Sequence, residues 1–208
     1  LSQRALLMMQ SRRRDEAFAW ADRALKSDPG DADALAIRGR FNWSDSGRYD
    51  LALEDLKQAA RISPERYGGL YQEAQRRFYG QRARSGLAKG DDKQALEDAT
   101  LALASNAGDA TAHMVRGAIF SRAGKVEEAI KETTLAIKAD PRSSDALLYR
   151  GISMETLGQR ERALADIKRA AEIDPVRFRR FYEALIQAQR EGSPPLWSRN
   201  RAAVTASN

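Results

Sequence analysis

Small residues and one proline recur along the second half of the chain at a separation of 34 residues. The five pairs are Gly117 and Gly151, Gly124 and Gly158, Ala129 and Ala163, Ala136 and Ala170, and Pro141 and Pro175. A fixed period of this length is typical of a repeated helical unit, which must stack on its neighbours because one unit alone cannot bury its apolar face. The spacing therefore predicts an array of helix pairs. Such arrays bind other molecules, and the repeat itself does not name the partner.

Each of the two regular units, residues 110–143 and 144–177, has the pattern of a helix, a glycine turn, a second helix and a proline stop. In the first of them the pattern predicts helices over residues 112–123 and 126–139, joined at Gly124. The second helix is expected to end at Asp140, because the residue before a proline disfavours helical geometry. The next unit repeats this arrangement, with Gly158 as the turn and Pro175 as the stop.

Matching alanines and prolines upstream extend the register, so we predict one array over residues 1–191. Its units cover about residues 1–31, 32–66, 67–109, 110–143 and 144–177. A capping helix over residues 178–191 follows, and its apolar face carries Phe178, Phe181, Leu185 and Ala188 at helical spacing. Such a cap covers the exposed apolar side of the last unit. Residues 192–208 are expected to be extended or disordered.

One irregularity interrupts the register in the third unit, where Ala52 and Ala95 lie 43 rather than 34 residues apart. About nine residues are therefore inserted near 67–75, and we expect them to lengthen the first helix of this unit. Gly68 and Gly69 are expected to make its first turn irregular. Two interpretations remain open: the insertion projects as a contact surface, or it folds against the second unit and fills space.

The two regular units resemble the tetratricopeptide repeat family. The family pattern falls on His113, Gly117, Phe120, Gly124, Ala129, Thr133, Ala136 and Pro141, and on Leu147, Gly151, Met154, Gly158, Ala163, Ile167, Ala170 and Pro175. The resemblance implies an all-α fold, a right-handed helical solenoid of stacked antiparallel helix pairs with a C-terminal capping helix. It also implies a concave groove, lined by the first helix of each pair, that binds a peptide or a partner helix.

The composition narrows the class of protein. The chain has 208 residues and a net charge of +6, and its acidic residues are interspersed among the basic ones. Arginine greatly outnumbers lysine, which favours a bacterial source with a GC-rich genome over selection for a polyanion. No apolar run approaches the about 18 residues of a membrane-spanning helix, and no signal peptide is visible. We therefore expect a soluble protein of the cytoplasm or the periplasm, without disulfides because cysteine is absent.

An arginine precedes the small residue of the first helix in every unit, where the family usually has leucine. These arginines are Arg4, Arg38, Arg82, Arg116 and Arg150. Four of them have an acidic counterpart 16 or 17 residues later on the second helix, namely Asp55, Asp98, Glu132 and Asp166, and the first unit has Trp20 there. The functional interpretation is a basic ladder for an anionic ligand. The structural interpretation, which the matched acids favour, is a row of internal ion pairs.

Nothing in the sequence favours catalysis. The single histidine, His113, occupies a core position of its unit, and we expect it to be packed and hydrogen-bonded. No metal-ligand spacing, phosphate-binding glycine loop or nucleophile motif occurs. The sequence therefore predicts a protein that is not an enzyme and that needs no cofactor or metal.

The positions that the family uses for ligands predict the binding residues. They point to Arg40, Arg77, Arg84, Met114, Arg122, Leu148 and Ile152 as the partner-binding set. The Lys and Asn that hold a terminal carboxylate in chaperone-binding members of the family are replaced here, which argues against chaperone tails. We therefore expect a protein or peptide partner of acidic or mixed acidic and apolar character. The alternative is anion or nucleic-acid binding through the surface from Arg76 to Arg84, with aromatic residues among the arginines.

Overall fold

A computed structural model of the chain describes residues 14–44 and 48–193, and within these ranges the backbone forms ten helices and no strand. The helices are α1 (Arg14–Ser27), α2 (Ala32–Ser44), α3 (Tyr49–Ile62), α4 (Pro64–Lys89), α5 (Asp92–Ser105), α6 (Ala110–Arg122), α7 (Val126–Ala139), α8 (Ser144–Thr156), α9 (Arg160–Ile173) and α10 (Pro175–Glu191). The start of the predicted first unit with Arg4, residues 45–47 of the second unit, and the predicted tail from residue 194 onward lie outside the described residues. No helix in the described part of the chain is long and apolar enough to cross a membrane.

Neighbouring helices pack against each other along the chain. Helices α2 and α3, α6 and α7, and α8 and α9 form the most extensive pairs, and α7 also packs on α8. The chain divides into two compact units, Leu1–Tyr79 and Gly80–Asn208, and the boundary lies within α4. The predicted all-α fold of stacked antiparallel helix pairs is therefore confirmed.

Glycine turns and aspartate caps set the helix ends. Gly124 and Gly158 have φ values of 76° and 73°, in the left-handed region that favours glycine, which confirms them as the predicted turns. Gly90, with φ of 80°, occupies the same position in the third unit, and the sequence reasoning missed it. The Asp174 carboxylate accepts a hydrogen bond from the backbone N–H of Arg177 and so caps α10, directly after α9 ends.

Close approach between the two helices of a pair explains the small residue that repeats every 34 positions. A Cβ on Gly151 would lie 2.6 Å from Cγ1 of Ile167 and 3.1 Å from the carbonyl oxygen of Ala163. A Cβ on Gly117 would lie 2.5 Å from Cγ2 of Thr133. Since both distances are shorter than ordinary van der Waals contact, only glycine allows α8 and α9, or α6 and α7, to pack at this separation.

The insertion near residues 67–75 lengthens α4, as predicted. This helix has 26 residues, whereas α2, α6 and α8 have 13 each. The expectation of an irregular first turn is wrong, because α4 is helical from Pro64 through Gly68 and Gly69. Burial of Tyr67, which is 7 % exposed, offsets the low helix propensity of the two glycines.

Of the two interpretations of the insertion, the structure supports the one in which it folds against the second unit. Tyr67 and Ala74 are buried in a core cluster with Leu35, Ile37 and Leu56 of α2 and α3. Leu70 and Tyr71 are partly buried and pack against the same cluster. The first turns of α4 therefore add apolar surface to the core of the first compact unit.

The capping helix is also confirmed, although it begins at Pro175 rather than at residue 178. On its predicted apolar face, Phe178, Leu185 and Ala188 are buried, and Phe181 is partly buried against the same cluster. These side chains cover Leu147 and Ile167 of the last helix pair. The helix ends at Gly192, which has φ of 64° and closes it in the left-handed conformation.

Candidate functional site

Four of the repeated arginines lie within the described residues, and each contacts the carboxylate predicted for it on the second helix of its pair. In three pairs the guanidinium donates two hydrogen bonds: Arg38 to Asp55 at 2.9 and 2.7 Å, Arg82 to Asp98 at 2.7 and 2.5 Å, and Arg150 to Asp166 at 2.6 and 2.8 Å. The carboxylates are buried, whereas the arginine side chains keep between 19 % and 45 % exposure. The structural interpretation of this ladder is confirmed.

The fourth unit departs from this geometry because the carboxylate of Glu132 contacts two side chains, those of His113 and Arg116. Oε2 of Glu132 lies 2.7 Å from Nδ1 of His113, and Oε1 lies 3.1 Å from Nη2 of Arg116. The other ring nitrogen of His113 lies 2.9 Å from the carbonyl oxygen of Ala107. His113 is therefore packed and hydrogen-bonded through both nitrogens, as predicted. Arg116 makes a single contact with Glu132, and its buried Nε has no hydrogen-bond partner.

Two aspartates at family ligand positions are held by residues of the helix that follows their helix pair. Asp33 of α2 lies 2.6 Å from Nη1 of Arg66 and accepts a hydrogen bond from the hydroxyl of Tyr67. Burial, together with that hydrogen bond, raises the pKa of Tyr67 to about 12. Asp145 of α8 lies 2.6 Å from Nη2 of Arg177 on α10. The sequence reasoning missed these pairs, although an arginine 32 or 33 residues after each aspartate was a visible signal.

Several of the predicted binding residues have structural contacts of their own. Nη2 of Arg84 lies 3.1 Å from Oδ2 of Asp145. Arg122 donates to the carbonyl oxygen of Leu87 and, at 2.8 Å, to Oδ1 of Asp92, which ties the end of α6 to the turn between α4 and α5. Ligand binding by these two arginines would have to compete with internal partners.

The three apolar side chains predicted to contact a ligand are buried or partly buried. Met114 is 4 % exposed and borders a small polar cavity of about 180 Å³, together with Arg84 and Asp145. Leu148 is 5 % exposed and lies in the core cluster beneath α10, where Ile152 packs against it as a partly buried residue. These side chains mainly stabilise the packing between helices.

The remaining two predicted residues, Arg40 and Arg77, both line a second, larger cavity. It lies in the first compact unit between α2, α3 and α4 and has a volume of about 350 Å³. Its lining consists of Arg40, Trp43, Ser44, Leu56, Leu70, Glu73, Ala74 and Arg77. We call it the α4 cavity. The structure thus places Arg40 and Arg77 at one cavity and adds apolar residues that were not in the predicted set.

One signal for the added residues was present in the sequence. Leu70, Glu73, Ala74 and Arg77 follow the spacing i, i+3, i+4 and i+7, which places them on one face of a helix. The neighbouring stripe of the same helix consists of Tyr67, Tyr71, Ala74 and Phe78, and its buried members Tyr67 and Ala74 belong to the core cluster. Because the two stripes share Ala74, the lining of the α4 cavity starts directly beside that buried stripe.

The charges around the α4 cavity do not cancel. Glu73 accepts hydrogen bonds from Arg76 at 2.8 Å and from Arg77 at 2.6 Å, so that one carboxylate serves two guanidinium groups. The hydrogen bonds from Arg76, followed by those from Arg77, lower the pKa of Glu73 to about 2, which keeps this carboxylate ionised at neutral pH. Arg40 is exposed, and its guanidinium forms no ion pair with any described residue. The four charges sum to +2.

The surface from Arg76 to Arg84 offers less charge than its sequence suggests. Arg76 and Arg77 share Glu73, Arg82 pairs with Asp98, and Arg84 pairs with Asp145. Among the aromatic residues, Phe78 contacts both Tyr49 and Tyr79, with ring centroids 6.4 and 5.2 Å apart. The arginines of this surface therefore form ion pairs within the protein, and Phe78 and Tyr79 pack against other rings.

The family of the chain follows from comparison with known proteins. Residues 3–67 match the family model described as tetratricopeptide repeat. The helix pairs described above, with their turn glycines and close-approach glycines at a 34-residue period, have the geometry of this repeat. Residues 3–67 therefore match the tetratricopeptide repeat, and the helix pairs of the described residues share its fold. A comparison with curated proteins finds no match.

Solved structures show the same repeat fold. The structure of YrrB, described as a tetratricopeptide repeat protein with an unusual peptide-binding site, is 22 % identical, with a TM-score of 0.50, and the match covers 89 % of this chain and 88 % of that one. The tetratricopeptide repeat domain of P58(IPK) is 15 % identical, with a TM-score of 0.54, and the match covers 92 % of this chain and 55 % of that one. At these identities the likeness concerns the fold.

Proposed function

We propose that this tetratricopeptide repeat chain is a non-catalytic protein-interaction module that binds a segment of a partner protein on the first helices of its pairs. The observation that carries the proposal is the α4 cavity, where Arg40 and Arg77 flank an apolar surface. Binding clefts in proteins combine mostly apolar walls with a few polar groups that orient the ligand. This cavity has that combination at positions that the repeat family uses for ligands.

Two further observations support a binding role rather than catalysis. Both nitrogens of His113 are engaged by Glu132 and by the carbonyl oxygen of Ala107, so the ring has no free nitrogen to act as a general base. YrrB, which shares the fold, is described as having a peptide-binding site. A segment of a protein is therefore the ligand class that we propose for this chain.

Among the seven predicted residues, we propose that Arg40 and Arg77 make the principal contacts. Arg84 and Arg122 are not among the principal contacts, because their guanidinium groups already have carboxylate partners. Met114, Leu148 and Ile152 are buried or partly buried, and we assign them to the packing of the second compact unit. The partner segment should be acidic or mixed acidic and apolar, since the charge around the cavity is positive.

The experiment is a selection of random dodecapeptides displayed on phage against the immobilised full chain. Enriched peptides are then synthesised, and their affinity is measured by fluorescence anisotropy at low and at physiological salt. We expect enrichment of sequences with a shared acidic and apolar motif, and micromolar to millimolar affinity. Arg77→Glu should weaken binding at least about tenfold, because it replaces an attractive contact by a repulsive one. If no peptide binds better than its scrambled version, the proposed function is wrong.

The same assay separates peptide binding from the nucleic-acid alternative. A single-stranded oligonucleotide that neutralised several arginines would lose affinity steeply between low and physiological salt, because bound counterions are released. A peptide contacting two arginines should show a much shallower dependence. No contact in the structure favours the oligonucleotide, since Arg76, Arg77, Arg82 and Arg84 have carboxylate partners.

A further inference from the structure

The α4 cavity owes one of its walls to the insertion that interrupts the repeat register. Leu70, Glu73 and Ala74 belong to residues 67–75, and Arg77 follows one half-turn later. An α4 of 26 residues is about 39 Å long, against about 20 Å for the 13-residue helices α2, α6 and α8. The added turns bring these four side chains beside the end of α2. A helix of the regular length would not supply Leu70, Glu73 and Ala74, which belong to the insertion.

We propose that the inserted turns of α4 build a pocket for one large apolar side chain of the partner segment, with an acidic residue next to it in the sequence. This inference rests on the proposed function and deepens it, because it names the chemistry that the segment must carry. It also makes the insertion, rather than the regular repeat, the source of specificity.

The apolar side of the pocket is preformed. Leu56 and Ala74 are buried at 2 % and 7 % exposure and form its floor, while Trp43 and Leu70 are partly buried at its edge. The ring of Trp43 packs edge-on against Tyr49, with centroids 5.1 Å apart, and Tyr49 in turn contacts Phe78 of α4. Aromatic pairs in this geometry hold their rings in place. An apolar side chain that entered would therefore contact a rigid surface, which lowers the entropic cost of binding.

The size of the pocket limits its occupant. A volume of about 350 Å³ lies near the lower end of the range of about 300–1,000 Å³ that is usual for ligand clefts. This space suits a single large side chain and excludes a helix face with several anchors. The segment should therefore bind through one apolar residue and the backbone on either side of it.

The charge around the pocket selects the neighbour of that residue. Arg40 lies on the α2 side and forms no ion pair with any described residue, whereas Arg77 lies on the α4 side and shares Glu73 with Arg76. A carboxylate of the ligand would lie between two guanidinium groups. That of Arg40 pairs with no described residue, and that of Arg77 shares one carboxylate with Arg76. Charge-assisted hydrogen bonds of this kind are stronger than neutral ones. A basic residue at the same place would be repelled.

The test uses blocked pentapeptides of the form acetyl-Gly-X-Glu-Asp-Gly-amide, with Leu, Phe or Trp at X. They are titrated into the ¹⁵N-labelled full chain, and the indole N–H signals of its three tryptophans are followed by NMR. The signal of Trp43 is assigned from its loss in Trp43→Phe. We expect at least one peptide to shift the Trp43 signal saturably. A Ser at X, or Gln-Asn in place of Glu-Asp, should weaken the effect at least about tenfold.

Matched variants locate the binding. Arg40→Glu and Leu70→Ala should each weaken the peptide at least about tenfold. Arg61→Glu makes the same charge change at an exposed position of α3 outside the cavity and should leave the affinity unchanged. Far-ultraviolet circular dichroism checks that each variant remains folded.

The outcomes separate this inference from the proposed function. If phage selection yields binders that retain full affinity for Arg40→Glu and Leu70→Ala, the module binds peptides elsewhere and the pocket inference is wrong. The same holds if none of the three pentapeptides shifts Trp43 at about 5 mM, where even millimolar binding would be visible. A pentapeptide that binds equally well with Gln-Asn would overturn the acidic part of the inference.

Discussion

The ion pair between Arg150 of α8 and Asp166 of α9 should contribute a measurable part of the stability of the last helix pair. Nε and Nη2 of Arg150 donate to the two carboxylate oxygens at 2.6 and 2.8 Å. The side chains are 19 % and 12 % exposed, so that this is the least exposed arginine of the ladder. Arg150→Met keeps most of the aliphatic stem, removes the charge and leaves the Asp166 carboxylate without its partner.

The magnitude follows from the exposure of the pair. Removing one partner of a fully buried ion pair costs about 3–5 kcal/mol. Since water reaches part of the Arg150 side chain, we expect Arg150→Met to lower the free energy of unfolding by about 2–3 kcal/mol, the range of hydrogen bonds to charged groups. Arg150→Met combined with Asp166→Leu should recover most of this loss, because two apolar side chains can replace an ion pair at little cost.

Urea denaturation followed by far-ultraviolet circular dichroism measures these differences. A loss of about 2–3 kcal/mol should lower the midpoint by about 1 M urea. Arg162→Met is the matched control, since Arg162 is exposed on α9, the helix of Asp166. Among the described residues it donates only to the side chain of Gln159, so its effect should stay within about 0.5 kcal/mol. If Arg150→Met behaves like Arg162→Met, or if the double variant is as unstable as the two single losses combined, the pair does not contribute and the reasoning is refuted.

Three further predictions concern other elements. Gly69→Ala should raise the free energy of unfolding by about 0.5–1 kcal/mol, because an added Cβ meets no atom within 4 Å and alanine is the better helix former, as urea midpoints would show. Tyr67 should stabilise the fold fully below pH 10, and up to about 2–3 kcal/mol of that contribution should be lost as the pH rises to about 12, because the folded state holds the phenol proton more tightly than the unfolded state. Thermal melts of the wild type and of Tyr67→Phe across this pH range measure the loss. Leu185→Ala should cost about 2–5 kcal/mol by opening a cavity beneath α10, measured by urea denaturation.

Each of these has a result that would contradict it. A destabilised Gly69→Ala would mean that α4 needs the flexibility of its glycine pair. A Tyr67→Phe variant whose stability declines as steeply with pH as that of the wild type would assign the loss to other groups. For Leu185, the control is Val176→Ala on the same helix, where the side chain is 93 % exposed. Equal effects at the two positions would show that α10 does not cap a core.

The sequence predicted the elements of this protein well because the relevant signals are local. Helix α7 begins and ends where the pattern placed it, at Val126 and Ala139, since its limits depend on Gly124 before it and Pro141 after it. The lengthening of α4 also followed from the register alone. The irregular first turn predicted from Gly68 and Gly69 was wrong, because local propensity is a weak preference that burial of Tyr67 overrides.

The ion pairs within each helix pair were predictable for the same reason. The constant spacing of Arg82 and Asp98, repeated at Arg150 and Asp166, reflects the fixed geometry of two helices joined by a short turn. Because this arginine–carboxylate spacing recurs from unit to unit, it could be predicted from the sequence without knowledge of how the units pack.

The candidate site required the tertiary structure. Arg40 and Arg84 occupy equivalent ligand positions of successive units, yet Arg84 contacts Asp145, 61 residues away, whereas Arg40 pairs with no carboxylate of residues 14–44 and 48–193. Whether a charge is available to a ligand depends on which residues from distant parts of the chain reach it, and the repeat period carries no information about that. The cavity beside α4 likewise arises where the added turns meet α2 and α3. Its walls come from three helices, so only their packing decides that Arg40 and Arg77 line one cavity.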